Sequence, residues 1–179
     1  MSLVIINTRL DTIPLVPQIA KLYCQIWREP PWNEYHWDKK EVERELLENL
    51  SENPTFAISV VKKSKNNEVL GFCWGYAVNK IMMQKISNTN ALDYIFGSNL
   101  CLGYITELGV AKCYRRKRLG EVLSMAVISS LQKQGIKKIL LRTDKKAIGA
   151  RLLYESLGFQ ELDIQDGTHT TRTYWLLEE

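Results

Sequence analysis

With 179 residues, 45% of them apolar and 25% charged, and no Pro/Gly/Ser-rich linker, the chain reads as one globular domain over residues 1–179. A chain of that length buries roughly two-thirds of its unfolded surface, so it is expected to fold alone. The net charge of +4 is mild and gathered in one cluster. That argues against a nucleic-acid partner, which calls for a basic stripe interleaved with exposed aromatics. No apolar run approaches a membrane span, and the segment Met1 to Arg9 lacks the basic flank and cleavage site of a signal peptide. No membrane association and a cytoplasmic location are therefore expected.

Leu3 to Arg9 reads as a first strand. Pro14 opens a helix with Ile19, Leu22, Tyr23 and Ile26 at helical spacing, stopping before Pro30-Pro31. An aromatic and acidic loop, Glu29 to Trp37, leads to Asp38, the expected N-cap of a helix with Val42, Leu46, Leu47 and Leu50 on its inner face. Asn53-Pro54 ends it. Phe56 to Val61 and Val69 to Val78 are expected to form a long hairpin, with Gly71 and Gly75 marking a bulge or a close backbone approach. Lys80 to Leu100 follows no single period and reads as an irregular insertion with a short helix.

Leu102 to Val110 is the next strand. It runs into four consecutive cations, Arg115, Arg116, Lys117 and Arg118, placed just before a helix from Leu119 to Gln134. The apolar stripe of that helix is Leu119, Val122, Leu123, Ala126, Val127 and Leu131, with Gly135 as its stop. Side-chain charge and the free N–H groups of a helix start converge there, which is the chemistry of a phosphate site. Lys138 to Arg142 completes a strand-helix-strand unit, a right-handed parallel crossover. A helix from Ala147 to Leu157, closed by Gly158, and strands Phe159 to Asp163 and Thr170 to Leu177 end the chain. The four cysteines, Cys24, Cys73, Cys101 and Cys113, have no C-x-x-C spacing and read as reduced, mostly buried thiols. His36 and His169 are too isolated to suggest a metal site, and none is expected.

Three segments together resemble the GNAT superfamily of N-acetyltransferases: the strand ending at Val110, the turn Arg115-Arg-Lys-Arg-Leu-Gly120 opening a helix, and Leu153-Tyr-Glu-Ser-Leu-Gly-Phe159. The resemblance covers about residues 56 to 163. It implies an α/β (α+β) fold of the GNAT-type acyl-CoA N-acyltransferase class, with a central mixed, mostly antiparallel twisted sheet of about seven strands and helices on both faces. It also implies acetyl-CoA as co-substrate, no metal, a primary amine as acceptor, direct attack through a tetrahedral intermediate, and a monomer or homodimer. Coenzyme A would be held at Leu108, Val110, Arg115, Arg116, Lys117, Arg118, Leu119, Gly120 and Glu121. The Val110 N–H would serve as oxyanion donor, and Tyr154 would protonate or hydrogen-bond the departing sulfur. The chain departs from the family's pattern at Arg118, where a glycine is usual, and at Ala147, where asparagine is common. A catalytically weak acyl-CoA-binding module is the alternative those departures leave open.

An amine of lysine-like pKa, about 10.4, is protonated at neutral pH, so a base is needed. Glu107, three residues before Val110, is the candidate. The acceptor is expected between the Pro30 to Trp37 loop, the Gly71 to Val78 strand and the insertion. Trp32, Trp37 and Trp74 would be in contact with it, and Glu29, Glu34 and Asp38 would suit a cationic amine.

Overall fold

The computed structural model describes residues 2–178. Seven strands form one sheet: β1 (Leu3–Ile6), β2 (Ala57–Lys63), β3 (Val69–Asn79), β4 (Cys101–Val110), β5 (Lys138–Asp144), β6 (Gln160–Gln165) and β7 (Arg172–Glu178), in the spatial order β1-β2-β3-β4-β5-β7-β6. Every neighbouring pair is antiparallel except β4 and β5, which are parallel across the helical crossover that joins them.

The helices are α1 (Arg9–Thr12), α2 (Val16–Trp27), α3 (Lys39–Glu52), α4 (Lys80–Ser87), α5 (Asp93–Phe96), α6 (Leu119–Lys133) and α7 (Ile148–Ser156). Period-two alternation along β3 divides them between two faces. Phe72 and Trp74 point into a core made with α2 and α3, and Val78 into one made with α4 and α5. Cys73 points the other way, into a core made with α6, Tyr154 and Phe159, and Leu70 joins it because a slip in the β2/β3 pairing, Val61 opposite Gly71 but Lys62 opposite Val69, breaks the alternation there. The Asp38 side chain accepts from the N–H groups of Lys40 and Glu41, so the expected cap of α3 is present.

Several boundaries differ from the sequence expectation. The first strand ends at Ile6, because Thr8 caps α1 by accepting from the Asp11 N–H and Arg9 turns inward to the carbonyls of Pro54 and Phe56. Pro14 sits in a 3-10 turn, Ile13–Leu15, that precedes α2. The insertion holds two short helices rather than one, the first capped by Asn79. Leu47 and Val122 belong to the expected inner stripes yet are 42% and 40% exposed. Cys101 and Cys113 are exposed thiols, in contrast to buried Cys24 and Cys73.

Candidate active site

Parallel pairing of β4 with β5 is short. It runs from Gly103 opposite Ile139 to Ile105 opposite Leu141, and both strands then continue without pairing to one another. β3 and β4 stay paired through this region but slip by one residue: Trp74 lies opposite Glu107 and Gly75 opposite Ile105, leaving Thr106 as the extra residue of a bulge. Gly75 is required at this point, because a Cβ there would lie 2.5 Å from the Tyr104 carbonyl oxygen. The Ala111 N–H donates to the Leu70 carbonyl on β3. By alternation the Val110 N–H therefore faces the opposite side, into the gap that β5 has left.

The basic turn lies just beyond that gap. The N–H groups of residues 116–121 donate to no acceptor among the described residues, and the first helical bond is from Val122 to the Arg118 carbonyl. Arg116 and Arg118 have φ values of 60° and 61°. Arg118 thus adopts the left-handed conformation that a glycine would take, at a cost of about 1 kcal/mol for a residue with a Cβ. Its side chain is 86% exposed, with Nε 3.8 Å from Glu121 Oε2. Gly120 lets α6 approach α7 closely, since a Cβ there would come within 2.9 Å of Leu153 Cδ2.

The four cations of the turn are not equivalent. Arg115 Nη1 pairs with Glu29 Oε2 at 2.7 Å and its Nε donates to the Val110 carbonyl at 2.9 Å, so its charge is already engaged. Lys117 Nζ lies 5.1 Å over the Tyr114 ring. Arg116 is exposed and forms no ion pair among the described residues. Leu108 and Leu119 pack partly buried against the α6 core. At the start of α7, Ala147 occupies the N-cap position and offers no side-chain cap.

Tyr154 sits on the α6/α7 face, 7% exposed, with its ring 5.9 Å from Phe159 and 6.3 Å from Trp175. Burial pushes its phenol above the ordinary tyrosine range, reinforced by Cys73 and Glu107 nearby. It stays protonated at any physiological pH.

On the opposite face a cavity of about 750 Å³ lies over the parted ends of β4 and β5. Trp32, Trp37 and Trp74 all line it. Trp74 stacks on Phe72 and Tyr23, while Trp37 meets Tyr23 edge-on and donates through Nε1 to Glu34 at 2.7 Å. Trp37 also packs on the α2/α3 core, so it serves the wall and the core together. Glu107 reaches this cavity too. Its Oε1 accepts a long 3.4 Å bond from the Tyr23 hydroxyl, and its Oε2 is sealed from solvent without a partner. Burial first, and the Glu45 carboxylate second, push its pKa up to about 8.

The three carboxylates that sequence reasoning offered to a cationic acceptor are all committed elsewhere. Glu29 pairs with Arg115, Glu34 pairs with Arg172 at 2.7 Å, and Asp38 caps α3. Besides Glu107, the cavity-lining acids with no ion pair among the described residues are Asp144, which accepts from the Lys146 N–H and the Thr171 hydroxyl, and Glu45 on α3. Its signal lay in the sequence, because Glu45 shares a helical face with Val42, Leu46 and Asn49, and all four line the cavity.

Sequence reasoning also missed the far wall. Arg142 on β5 pairs with Asp166, which is 1% exposed and accepts as well from the Tyr174 hydroxyl and the N–H groups of Thr168 and His169. Burial alone would raise the Asp166 carboxyl, but these donors outweigh it and hold it below the usual range. Arg142 also donates to the Ile86 carbonyl at 3.2 Å, and the Gly167 N–H donates to the Ser87 carbonyl at 2.9 Å. The turn between β6 and β7 is thereby fastened to α4 and presents His169, Thr171 and Arg172 to the cavity. Arg172 lies 5.6 Å over the Trp32 ring, so its pairing with Glu34 holds the 30–37 loop across the opening.

Among the described residues no group of three or more His, Cys, Asp or Glu could hold a metal ion, and no helix is long and apolar enough to cross a membrane. Among curated proteins, a mycothiol acetyltransferase of Renibacterium salmoninarum is 28% identical over 131 residues, 72% of this chain and 34% of that protein. The chain thus spans about a third of the length of this relative. Among solved structures, the NatC complex bound to Gag peptide and CoA includes a similar chain, with a TM-score of 0.71 at 17% identity, covering 100% of this chain and 99% of that one. The PaiA N-acetyltransferase of Thermoplasma acidophilum, solved with coenzyme A, gives a TM-score of 0.66 at 14% identity over the whole of both chains. At such identities the likeness is one of fold, and it matches the seven-stranded mixed sheet with helices on both faces. Residues 17–159, from the start of α2 through the Tyr154 segment, match the model of the acetyltransferase (GNAT) family, and the chain belongs to that family.

Proposed function

We propose that the protein is an N-acetyltransferase that moves an acetyl group from acetyl-CoA to a primary amine. The observation that carries this reading is the gap between β4 and β5, which has the unpaired N–H groups of residues 116–121 at one end and Glu107 in the cavity on the opposite face. A pyrophosphate needs several donors aimed at one point more than it needs a particular side chain, and a run of free N–H groups at a helix start fits it. Arg118 keeps the backbone shape of the usual glycine, so its side chain need not obstruct the site. Of the cofactor residues proposed from the sequence, Arg116, Lys117 and the N–H groups up to Glu121 would hold the phosphates. Arg115, tied to Glu29 and Val110, would instead fix the shape of the turn.

Acetyl-CoA held there would supply an acetyl thioester: the amine nitrogen adds to its carbonyl carbon, and the tetrahedral intermediate then breaks the C–S bond, the departing thiolate taking up the second proton lost by the nitrogen. The chain's own groups manage charge and protons. Glu107, with a pKa near 8, takes a proton from the incoming ammonium group, directly or through water. The Val110 N–H faces the gap, where a carbonyl oxygen gaining charge would lie. Tyr154 donates a hydrogen bond to the departing sulfur. A thiol has a pKa of about 8.5, well below that of the buried phenol, so complete proton transfer from Tyr154 is uphill and hydrogen bonding is its role.

Titration calorimetry with acetyl-CoA, followed by a thiol-release screen over primary amines, tests the reading. Binding together with amine-dependent release of free thiol is expected. Binding without release on any amine would favour an acyl-CoA-binding module, and no binding would overturn both.

A further inference from the structure

Glu107 is a candidate base with little to hold it. The last torsion of a glutamate is broad and two-fold, so a carboxyl group keeps one orientation only where donors fix it. Here Oε2 has no partner, and Oε1 accepts from the Tyr23 hydroxyl. The charged groups that face Glu107 from other elements are Glu45 on α3, Glu34 on the 30–37 loop, Arg142 on β5 and Arg172 on β7. Neither arginine pairs with it, because they are taken by Asp166 and Glu34. Burial keeps its other titratable neighbours, Cys73, Tyr76, Tyr104 and Tyr154, protonated at neutral pH.

Tyr23 is itself firmly placed. It is 4% exposed on the inner face of α2, one turn from Ile19 and one from Trp27. Its ring stacks 6.0 Å from both Phe72 and Trp74 of β3, at interplanar angles of 23° and 17°, and meets Trp27 and Trp37 edge-on at 5.5 Å and 5.2 Å. Four aromatic neighbours thus fix the ring, and with it the hydroxyl oxygen. Trp74 lies opposite Glu107 across the β3/β4 pair, so a ring stacked on Trp74 is carried to the carboxyl. The stacking needs only the ring, and the single hydroxyl proton goes to Glu107. Burial first, and the Glu107 carboxylate second, push the Tyr23 phenol above the ordinary range, so it remains a donor.

We infer that Tyr23 is a positioning residue: its hydroxyl, donating to Oε1, holds the Glu107 carboxyl in one orientation for proton removal from the acceptor amine. This rests on the acetyl-transfer reading and adds to it the group that aims the base. At 3.4 Å the bond is long, as catalytic hydrogen bonds often are before substrate binds, and it strengthens when the carboxyl is ionised. Tyr23 therefore also favours the base-competent form of Glu107 against the burial that opposes it.

Tyr23→Phe removes one oxygen and keeps the ring, and a single long hydrogen bond is a small part of the fold's stability. Near-ultraviolet circular dichroism verifies that the aromatic cluster is intact. The variant is expected to lose about tenfold in kcat, with KM for the amine changed less than about threefold, since misdirecting a base costs rate rather than binding. In a Glu107→Gln background the same change should cost less than about twofold, because no base is left to aim. A residue that merely supported the wall would cost the same in both backgrounds. The second readout needs no turnover: carbon NMR of protein labelled at the glutamate carboxyl carbon, with the Glu107 signal assigned by its loss in Glu107→Gln. Losing a donor to the ionised form raises a carboxyl pKa, so Tyr23→Phe should move the Glu107 midpoint up by about half a pH unit. Equal fold losses in the two backgrounds, an unchanged kcat or an unchanged midpoint overturns the inference. If the wild type acetylates no amine, the acetyl-transfer reading fails on its own, while the carboxyl titration still decides whether Tyr23 holds Glu107.

Discussion

On the α6/α7 face of the sheet the groups left free are backbone N–H groups at residues 116–121, contiguous in the chain and fixed by the start of one helix. On the α2/α3 face the free groups are side chains, Glu45, Glu107 and Lys146, which come from a helix, a strand and a turn spread over a hundred positions. The first arrangement is set by backbone shape: Arg118 holds a glycine's φ while its side chain is 86% exposed. The second is set by residue identity, since Glu45 and Lys146 stand exposed and Glu107 Oε2 is sealed. Replacing one side chain therefore changes the second directly and the first only where it alters φ.

The largest effect that would sharpen this contrast is expected on the side-chain face. Glu107→Gln is expected to lower kcat by about 10²- to 10⁴-fold, the usual worth of a general base, with little change in acetyl-CoA affinity. In the wild type, kcat/KM should rise with pH to a limb near 8 that the variant lacks. Stability should move oppositely. Below about 4.5, the ordinary value, this carboxyl is protonated in both folded and unfolded chains and imposes no penalty. Between about 4.5 and about 8 the unfolded chain ionises first, so wild-type stability falls as pH rises through that window. Chemical denaturation of wild type and Glu107→Gln across this range should show the slope only in the wild type.

Tyr154→Phe comes next, with an expected loss of about 10²-fold in kcat and an unchanged KM for acetyl-CoA, in line with removal of one transition-state donor. Steady-state kinetics in which turnover is unchanged would remove the residue from the mechanism. Gly75→Ala tests the shared strand. The new Cβ meets backbone rather than a yielding side chain, so a destabilisation of about 1–3 kcal/mol and loss of activity are expected in denaturation and turnover assays.

The smallest effect belongs to the backbone face. Arg118→Gly relieves a left-handed residue and should raise stability by up to about 1 kcal/mol, offset in part by the larger entropy of the unfolded chain. Coenzyme A affinity is expected to change less than threefold by calorimetry. A tenfold loss would mean that the arginine side chain, and not the shape of the turn, does the holding.

Much of the α6/α7 face was legible in the sequence because its signals are local. A helix start, a basic turn and the Tyr154 segment are each contiguous, and their order carried the family. The three tryptophans of the cavity were also found, since aromatic residues cluster near Pro30-Pro31 and on β3. What misled was pairing. Glu29, Glu34 and Asp38 are close in sequence to those aromatics but are taken up by Arg115, Arg172 and the start of α3, and two of these partners lie far along the chain. Arg142 and Asp166 went unnoticed because a buried ion pair joins two positions that are unremarkable separately.

The strand carrying Glu107 shows where the division falls. The sequence by itself determined that a strand ends at Val110, that an acid sits three residues earlier, and that a helix start follows. It could not determine which face the acid takes. Tyr104 and Glu107 are three residues apart and both line the same cavity, which a side-chain period of two forbids unless a residue is added between them. The bulge at Thr106 adds it, and that bulge exists because β3 and β4 pair with one residue of slip where Gly75 admits the Tyr104 carbonyl. Pairing of distant strands, not local preference, turned a surface-compatible glutamate into a sealed carboxyl of raised pKa.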